Sequence, residues 1–135
     1  MTATSTSLLH GDISEKILGS FFQVYGDLGY GFLESPYKNA LAIELTSRGL
    51  TVSREVPVEI HYRGLPVGSY RFDLLVAQCV LVEVKANNAL FEADERQLLN
   101  YLRATNIEVG LLLNFGPKPS YKRLVYSNAR KPGVH

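Results

Sequence analysis

Cysteine is nearly absent from this chain: Cys79 stands alone among 135 residues. That excludes an intramolecular disulfide and any cysteine-based zinc site. Lying in an apolar run, Cys79 reads as a small buried hydrophobe rather than a reactive thiol. Histidine is also sparse, and His10, His61 and His135 are scattered without metal-ligand spacing. No excess of charge of one sign exists, the formal net charge being +1. That balance argues neither for nor against a nucleic-acid partner, which requires only local positive charge. No apolar stretch reaches the length of a membrane span. Met1 to Ser7 carries no basic region ahead of an apolar core and reads as a frayed end rather than a signal peptide. Together these absences lead to the expectation of a cytoplasmic protein. A phosphate-binding loop, a serine in a nucleophile elbow, repeats and low-complexity blocks are missing as well.

What is present has the size of one domain, and its 46% apolar and 20% charged residues suit a folded globular chain. Ile13, Ile17, Phe21, Val24 and Leu28 recur at helical spacing and predict a helix over Asp12–Leu28 that ends at Gly29. A second helix is expected over Ser35–Arg48, with Pro36 near its start and Gly49 at its exit. Thr51–Tyr62, Val67–Ala77 and Val80–Ala86 read as strands, with a turn at Arg63-Gly64-Leu65-Pro66 and a very short one at Ala77-Gln78. An antiparallel meander follows from such short connections. A helix over Ala89–Ala104, a strand over Glu108–Leu113 and a short last strand over Lys122–Tyr126 complete the order. The domain is expected to span 12–127, with residues 1–11 and 128–135 as flexible ends.

The segment Val80-Leu81-Val82-Glu83-Val84-Lys85-Ala86 carries the chemistry. It reads as a strand covered on both faces, yet Glu83 and Lys85 interrupt it and point to the same side. Buried charge costs several kcal/mol unless it is paired or bound to an ion. The plain reading is a Glu83–Lys85 ion pair or a wet edge. On the preceding strand, Arg71 and Asp73 share one face, with Tyr70, Phe72, Leu74 and Val76 on the other. Pairing through the Gln78 turn brings Asp73 beside Glu83. Two adjacent carboxylates resist ionisation together, and a hard divalent ion resolves the conflict. Lys85 would then act on a water or a phosphate oxygen, which outlines a phosphodiester hydrolysis site.

Asp73 followed by Glu83-Val84-Lys85 resembles the D…(D/E)xK signature of the PD-(D/E)XK nuclease superfamily. Gly31-Phe32-Leu33-Glu34-Ser35-Pro36-Tyr37 resembles the motif of its GxxExxY family. The likeness continues through Ala40–Leu45, Gly68–Val76, Glu83–Ala86, Gln97–Thr105 and Val109–Gly116. It implies an α/β, restriction-endonuclease-like mixed β-sheet flanked by α-helices. It further implies Mg²⁺ or Mn²⁺ as cofactor, bound by Asp73, Glu83 and Glu34, with Glu34, Asp73, Glu83 and Lys85 as the catalytic set. Helical spacing separately places Glu34 with Tyr37, Leu41 and Leu45, although an acid at a helix start is also favoured by the helix dipole. Glu44 competes from the edge of that stripe. Gln97 and Tyr101, four apart on a helix, resemble the QxxxY element of RecB-type nucleases. With Arg71 they are expected to support the site or contact the substrate strand.

The tail adds Lys118, Lys122, Arg123, Arg130 and Lys131 with Tyr121 and Tyr126, either a soluble end or a backbone-binding strip. Three functional classes follow: a metal-dependent nuclease on DNA or RNA, a nuclease-fold module that binds nucleic acid or protein, and a purely structural ion-pair cluster. Nucleic acid is the expected partner, no membrane is, and self-association as a homo-oligomer stays open.

Overall fold

The computed structural model describes residues 9–131. Two helices, α1 (Gly11–Leu28) and α2 (Glu34–Ser47), precede strands β1 (Val52–Tyr62), β2 (Leu65–Val76) and β3 (Val80–Lys85). Helix α3 (Glu92–Arg103) leads into β4 (Val109–Phe115) and β5 (Pro119–Val125). The five strands lie in the order β1-β2-β3-β4-β5. The first three form the expected antiparallel meander, β3 and β4 run parallel across α3, and β5 returns antiparallel.

Turn chemistry sets the boundaries. Arg63 and Gly64 both take positive φ and close the β1–β2 hairpin in two residues, the twist-compatible form for such a loop. β2 therefore starts at Leu65, earlier than the Val67 expected from sequence. Ala77 and Gln78 repeat that left-handed pair, with Cys79 N–H donating to Val76 O at 3.0 Å. Helix α3 starts later than Ala89, because the Asp94 carboxylate accepts from Phe91 N–H at 3.2 Å and fixes the helix entry there. β5 is longer than expected and begins at Pro119, a position an outer strand tolerates.

Two apolar clusters sandwich the sheet. On one face, Ile17, Phe21 and Val24 of α1 and Tyr37, Leu41 and Leu45 of α2 pack on Val80, Val82, Val84, Leu111, Leu113 and Phe115. Phe115 is central: its ring stacks on Tyr37 at 4.2 Å and meets Phe21 edge-on at 4.8 Å. On the other face, Leu98 and Leu102 of α3 cover Phe72, Leu81 and Leu112. Gly110 lets α3 approach, since a Cβ there would lie 3.1 Å from Leu98.

Beyond Lys85 the parallel pair is extended by the Asn114 side chain, which bonds the Asn87 backbone. Asn87 N–H donates to the buried Asn114 Oδ1 at 2.9 Å, and Asn114 Nδ2 donates back to Asn87 O at 3.0 Å. Gly116 must be glycine for this close approach, because a Cβ would lie 2.4 Å from Asn87 O.

The first residues of the expected frayed tail, 128–131, are described. Asn128–Arg130 form a 3-10 helix, and Lys131 is fully buried. Its Nζ donates to Thr105 O at 2.8 Å and Ile107 O at 2.9 Å, which compensates the buried ammonium. Residues 1–8 and 132–135 lie outside the described residues. No described helix is long and apolar enough to cross a membrane.

Candidate active site

β2 and β3 pair backbone to backbone only over Leu74–Val76 and Val80–Val82. One step further the ladder stops and two carboxylates take over. Glu83 Oε1 accepts from Asp73 N–H at 3.0 Å, while Asp73 Oδ2 accepts from Val84 N–H at 2.8 Å. The strand splay is thus filled by the side chains expected to form the site, and each satisfies a backbone donor that would otherwise be orphaned.

The regular alternation read from the sequence breaks at this point. Phe72 belongs to the α3-side cluster, whereas Leu74 and Val76 belong to the α1/α2 side. On β1 the same switch separates Val56 and Val58 from Val52. Between them Glu55 takes φ 51, and no partner pairs with it in the register. Tyr70, placed by strict alternation on the face away from the acidic residues, instead donates its hydroxyl to Glu83 Oε2 at 2.9 Å. Its ring stacks on Tyr101 at 4.3 Å, and Tyr101 meets Phe72 edge-on at 5.0 Å.

Glu83 is 3% exposed. Burial, and then the neighbouring Asp73 charge, push its carboxyl up to about 7. Burial, followed by the Glu83 charge, likewise raises the Tyr70 phenol and keeps it a proton donor to the carboxylate.

The other expected residues fall into three groups. Lys85 is half-buried on the Glu83 strand, but its Nζ leans towards Asp94 of α3 at 3.9 Å. Gln97 is exposed and lies one turn before Tyr101 on α3. Arg71 is exposed and pairs in register with Pro57. Glu34 forms the first residue of α2, not the position before it, and is exposed. Among the described residues no group of three or more acidic, His or Cys side chains converges, so Glu34 does not join Asp73 and Glu83. Glu44 is paired with Arg48 at 2.9 Å.

Two further residues, besides Tyr70, escaped the sequence reading. Lys38 of α2 reaches Asp73 Oδ1 at 3.4 Å and Glu55 Oε2 at 2.8 Å, and Asp94 both caps α3 and faces Lys85. An ion-pair search along one helix and across β1 could have suggested Lys38. The basic tail is not one strip: Arg123 turns inward to Ser14 Oγ and Leu9 O, and Lys131 is buried. His61 pairs with Glu59 on the exposed hairpin at 3.0 Å. A concavity of about 440 Å³ between α2 and β1, lined by Ala42, Ile43, Thr46, Ser47, Val52 and Arg54, includes none of the acidic residues.

A buried carboxylate beside a second one, with oxygen donors only, fits a hard divalent cation, since Mg²⁺ needs one or two carboxylates and keeps its waters. The sequence profile of the PD-(D/E)XK nuclease superfamily matches residues 11–124. The chain belongs to that superfamily. Nucleases of this superfamily act on nucleic acid and generally use divalent metals. Among solved structures, that of SSO0001 is similar at 20% identity and a TM-score of 0.52, covering 67% of this chain and 48% of that one. An alkaline exonuclease from Laribacter hongkongensis is similar at 13% identity and a TM-score of 0.44, covering 70% of this chain and 55% of its own. The chain thus spans about half the length of these structures. No curated protein matches significantly.

Proposed function

We propose that this chain is a phosphodiester hydrolase acting on DNA or RNA with Mg²⁺ or Mn²⁺ held by Asp73 and Glu83, and that it belongs to the GxxExxY group. The observation that carries this reading is the exchange of backbone bonds between Asp73 and Glu83 where the β2–β3 ladder ends. That exchange fixes two carboxylates at one spot, and a bound cation would supply electrophilic stabilisation of the phosphate. Asp73 and Glu83 are the ligands in this reading. Tyr70, braced by Tyr101, holds the Glu83 carboxylate in orientation, and Gln97, one turn before Tyr101 on α3, faces the substrate strand. Lys85 orients the attacking water or neutralises a phosphate oxygen, and Arg71, exposed beside Asp73, contacts the substrate backbone. Glu34 enters only if substrate or ion draws the start of α2 inward.

The test is cleavage of single-stranded, duplex and branched DNA and RNA with and without Mg²⁺ or Mn²⁺. Lys85→Ala is expected to lower turnover by about 10²-fold or more while leaving ion binding intact; Asp73→Asn is expected to lose both. A second reading, a nuclease fold used as a binding module, is favoured by the lean of Lys85 towards Asp94. Tight nucleic-acid binding with no metal-dependent cleavage of any substrate would establish it.

A further inference from the structure

The Asp73 carboxylate is held from two sides. Oδ2 is fixed by Val84 N–H, whereas Oδ1 faces the Lys38 ammonium at 3.4 Å. The same ammonium lies closer to Glu55 Oε2, at 2.8 Å. Glu55 sits opposite Asp73 between the pairs Arg54↔Leu74 and Val56↔Phe72, in the left-handed conformation that a non-glycine residue adopts only at a cost. The kink is tied to α2, because Arg54 donates to Asn39, the residue after Lys38. Backbone strain in mid-strand thus aims a carboxylate at a lysine that already touches a site residue. The Lys38 amine is raised above its ordinary value, by the bond to Glu55 first.

The geometry points to Lys38 as a built-in counter-ion of Asp73, and to Glu55 as the post to which that ammonium withdraws when a divalent cation binds. The inference rests on the metal-dependent reading above. A lysine suits this role, being a compact point charge with three donors on a flexible stem. Between two carboxylates it can change partner with a small side-chain movement and no loss of ionisation. Without an ion, Lys38 offsets the repulsion between Asp73 and Glu83. As an ion arrives, Lys38 becomes a competing charge beside Asp73, and Glu55 keeps it satisfied away from Oδ1. Lys38 therefore opposes ion binding, and Glu55 favours it only by acting on Lys38. Both are positioning residues.

Mn²⁺ and Mg²⁺ titration by calorimetry tests this on the full chain, with the ion-induced rise in thermal midpoint as the second readout. Lys38→Met is expected to bind several-fold more tightly than wild type, and Glu55→Gln several-fold more weakly. In the Lys38→Met background, Glu55→Gln should change nothing, because the residue through which Glu55 acts is gone. An equal loss from Glu55→Gln with and without Lys38 would reduce Glu55 to a general negative field and overturn the inference. Unchanged affinity in both single variants would overturn it as well. Ion binding that survives Asp73→Asn would overturn the metal site itself, a result separable from the other two. Should Lys38→Met fail to fold, Lys38→Gln serves the same comparison.

Discussion

The two faces of the sheet are built to different specifications. Under α1 and α2 the interior is apolar and aromatic, with Phe115, Tyr37 and Phe21 in mutual contact. Under α3 the cluster is smaller and runs out at Glu83, where Tyr70, Tyr101 and a second carboxylate replace hydrocarbon. The first face stabilises the domain without a carboxylate or an amine in its centre, which lets the second retain a carboxylate that burial disfavours. A site of this kind is carried by a core that does not depend on it.

The largest expected effect tests the stabilising face. Phe115→Ala should cost about 3–5 kcal/mol in denaturant unfolding, with little change in the pH dependence of stability. A pH dependence that vanished in this variant would mean that the two faces are not separate.

The next effect belongs to the α3 face. Glu83 holds its proton up to about pH 7 in the fold, while the unfolded chain releases it near 4.5. The folded state therefore binds more protons between those values, and metal-free stability should fall as pH rises from about 4.5 to about 7. The full difference is on the order of 3 kcal/mol. Glu83→Gln should flatten the curve, since an amide can still accept from Asp73 N–H and still meet the Tyr70 hydroxyl. A curve just as steep in Glu83→Gln would assign the titration to another group.

Tyr70→Phe should cost about 1.5–3 kcal/mol above pH 7, the order expected for a hydrogen bond to a charged acceptor. It should also move the midpoint of the pH curve upward, because the lost hydroxyl favours ionised Glu83. The smallest effect is expected at Arg71→Ala. As an exposed residue it should alter stability by no more than about 0.5 kcal/mol, so any loss in nucleic-acid binding by this variant would be a direct contact effect.

Much of this was legible in the chain. Glu83 and Lys85 declare themselves because charge inside an apolar strand demands a reason, and the short Ala77-Gln78 connection brings Asp73 opposite Glu83. Tyr70 was not legible, because alternation holds only while a strand keeps its pleat. The switch at Glu55 and Asp73 depends on two strands together, and no local pattern announces it. Lys38 was hidden for a similar reason. It lies beside a clear helical stripe of Tyr37, Leu41 and Leu45 and looks like an ordinary solvated residue until β1 supplies Glu55. Lys131 was hidden too, because no pattern of apolar residues announces a lysine that is buried on the carbonyls of Thr105 and Ile107.

The reciprocal amide bonds between Asn87 and Asn114 bear on folding fidelity more than on strength. β3 has six residues, Val80–Lys85, and hydrocarbon alone distinguishes its neighbouring registers poorly, since Val, Leu and Val fit either face. A slip of one residue would turn Glu83 and Lys85 into the greasy side beneath α1 and α2. Two amides that can bond only when Lys85 stands opposite Asn114, next to a glycine that admits no substitute, give the correct alignment a recognisable signature. They proofread the strand that carries the chemistry.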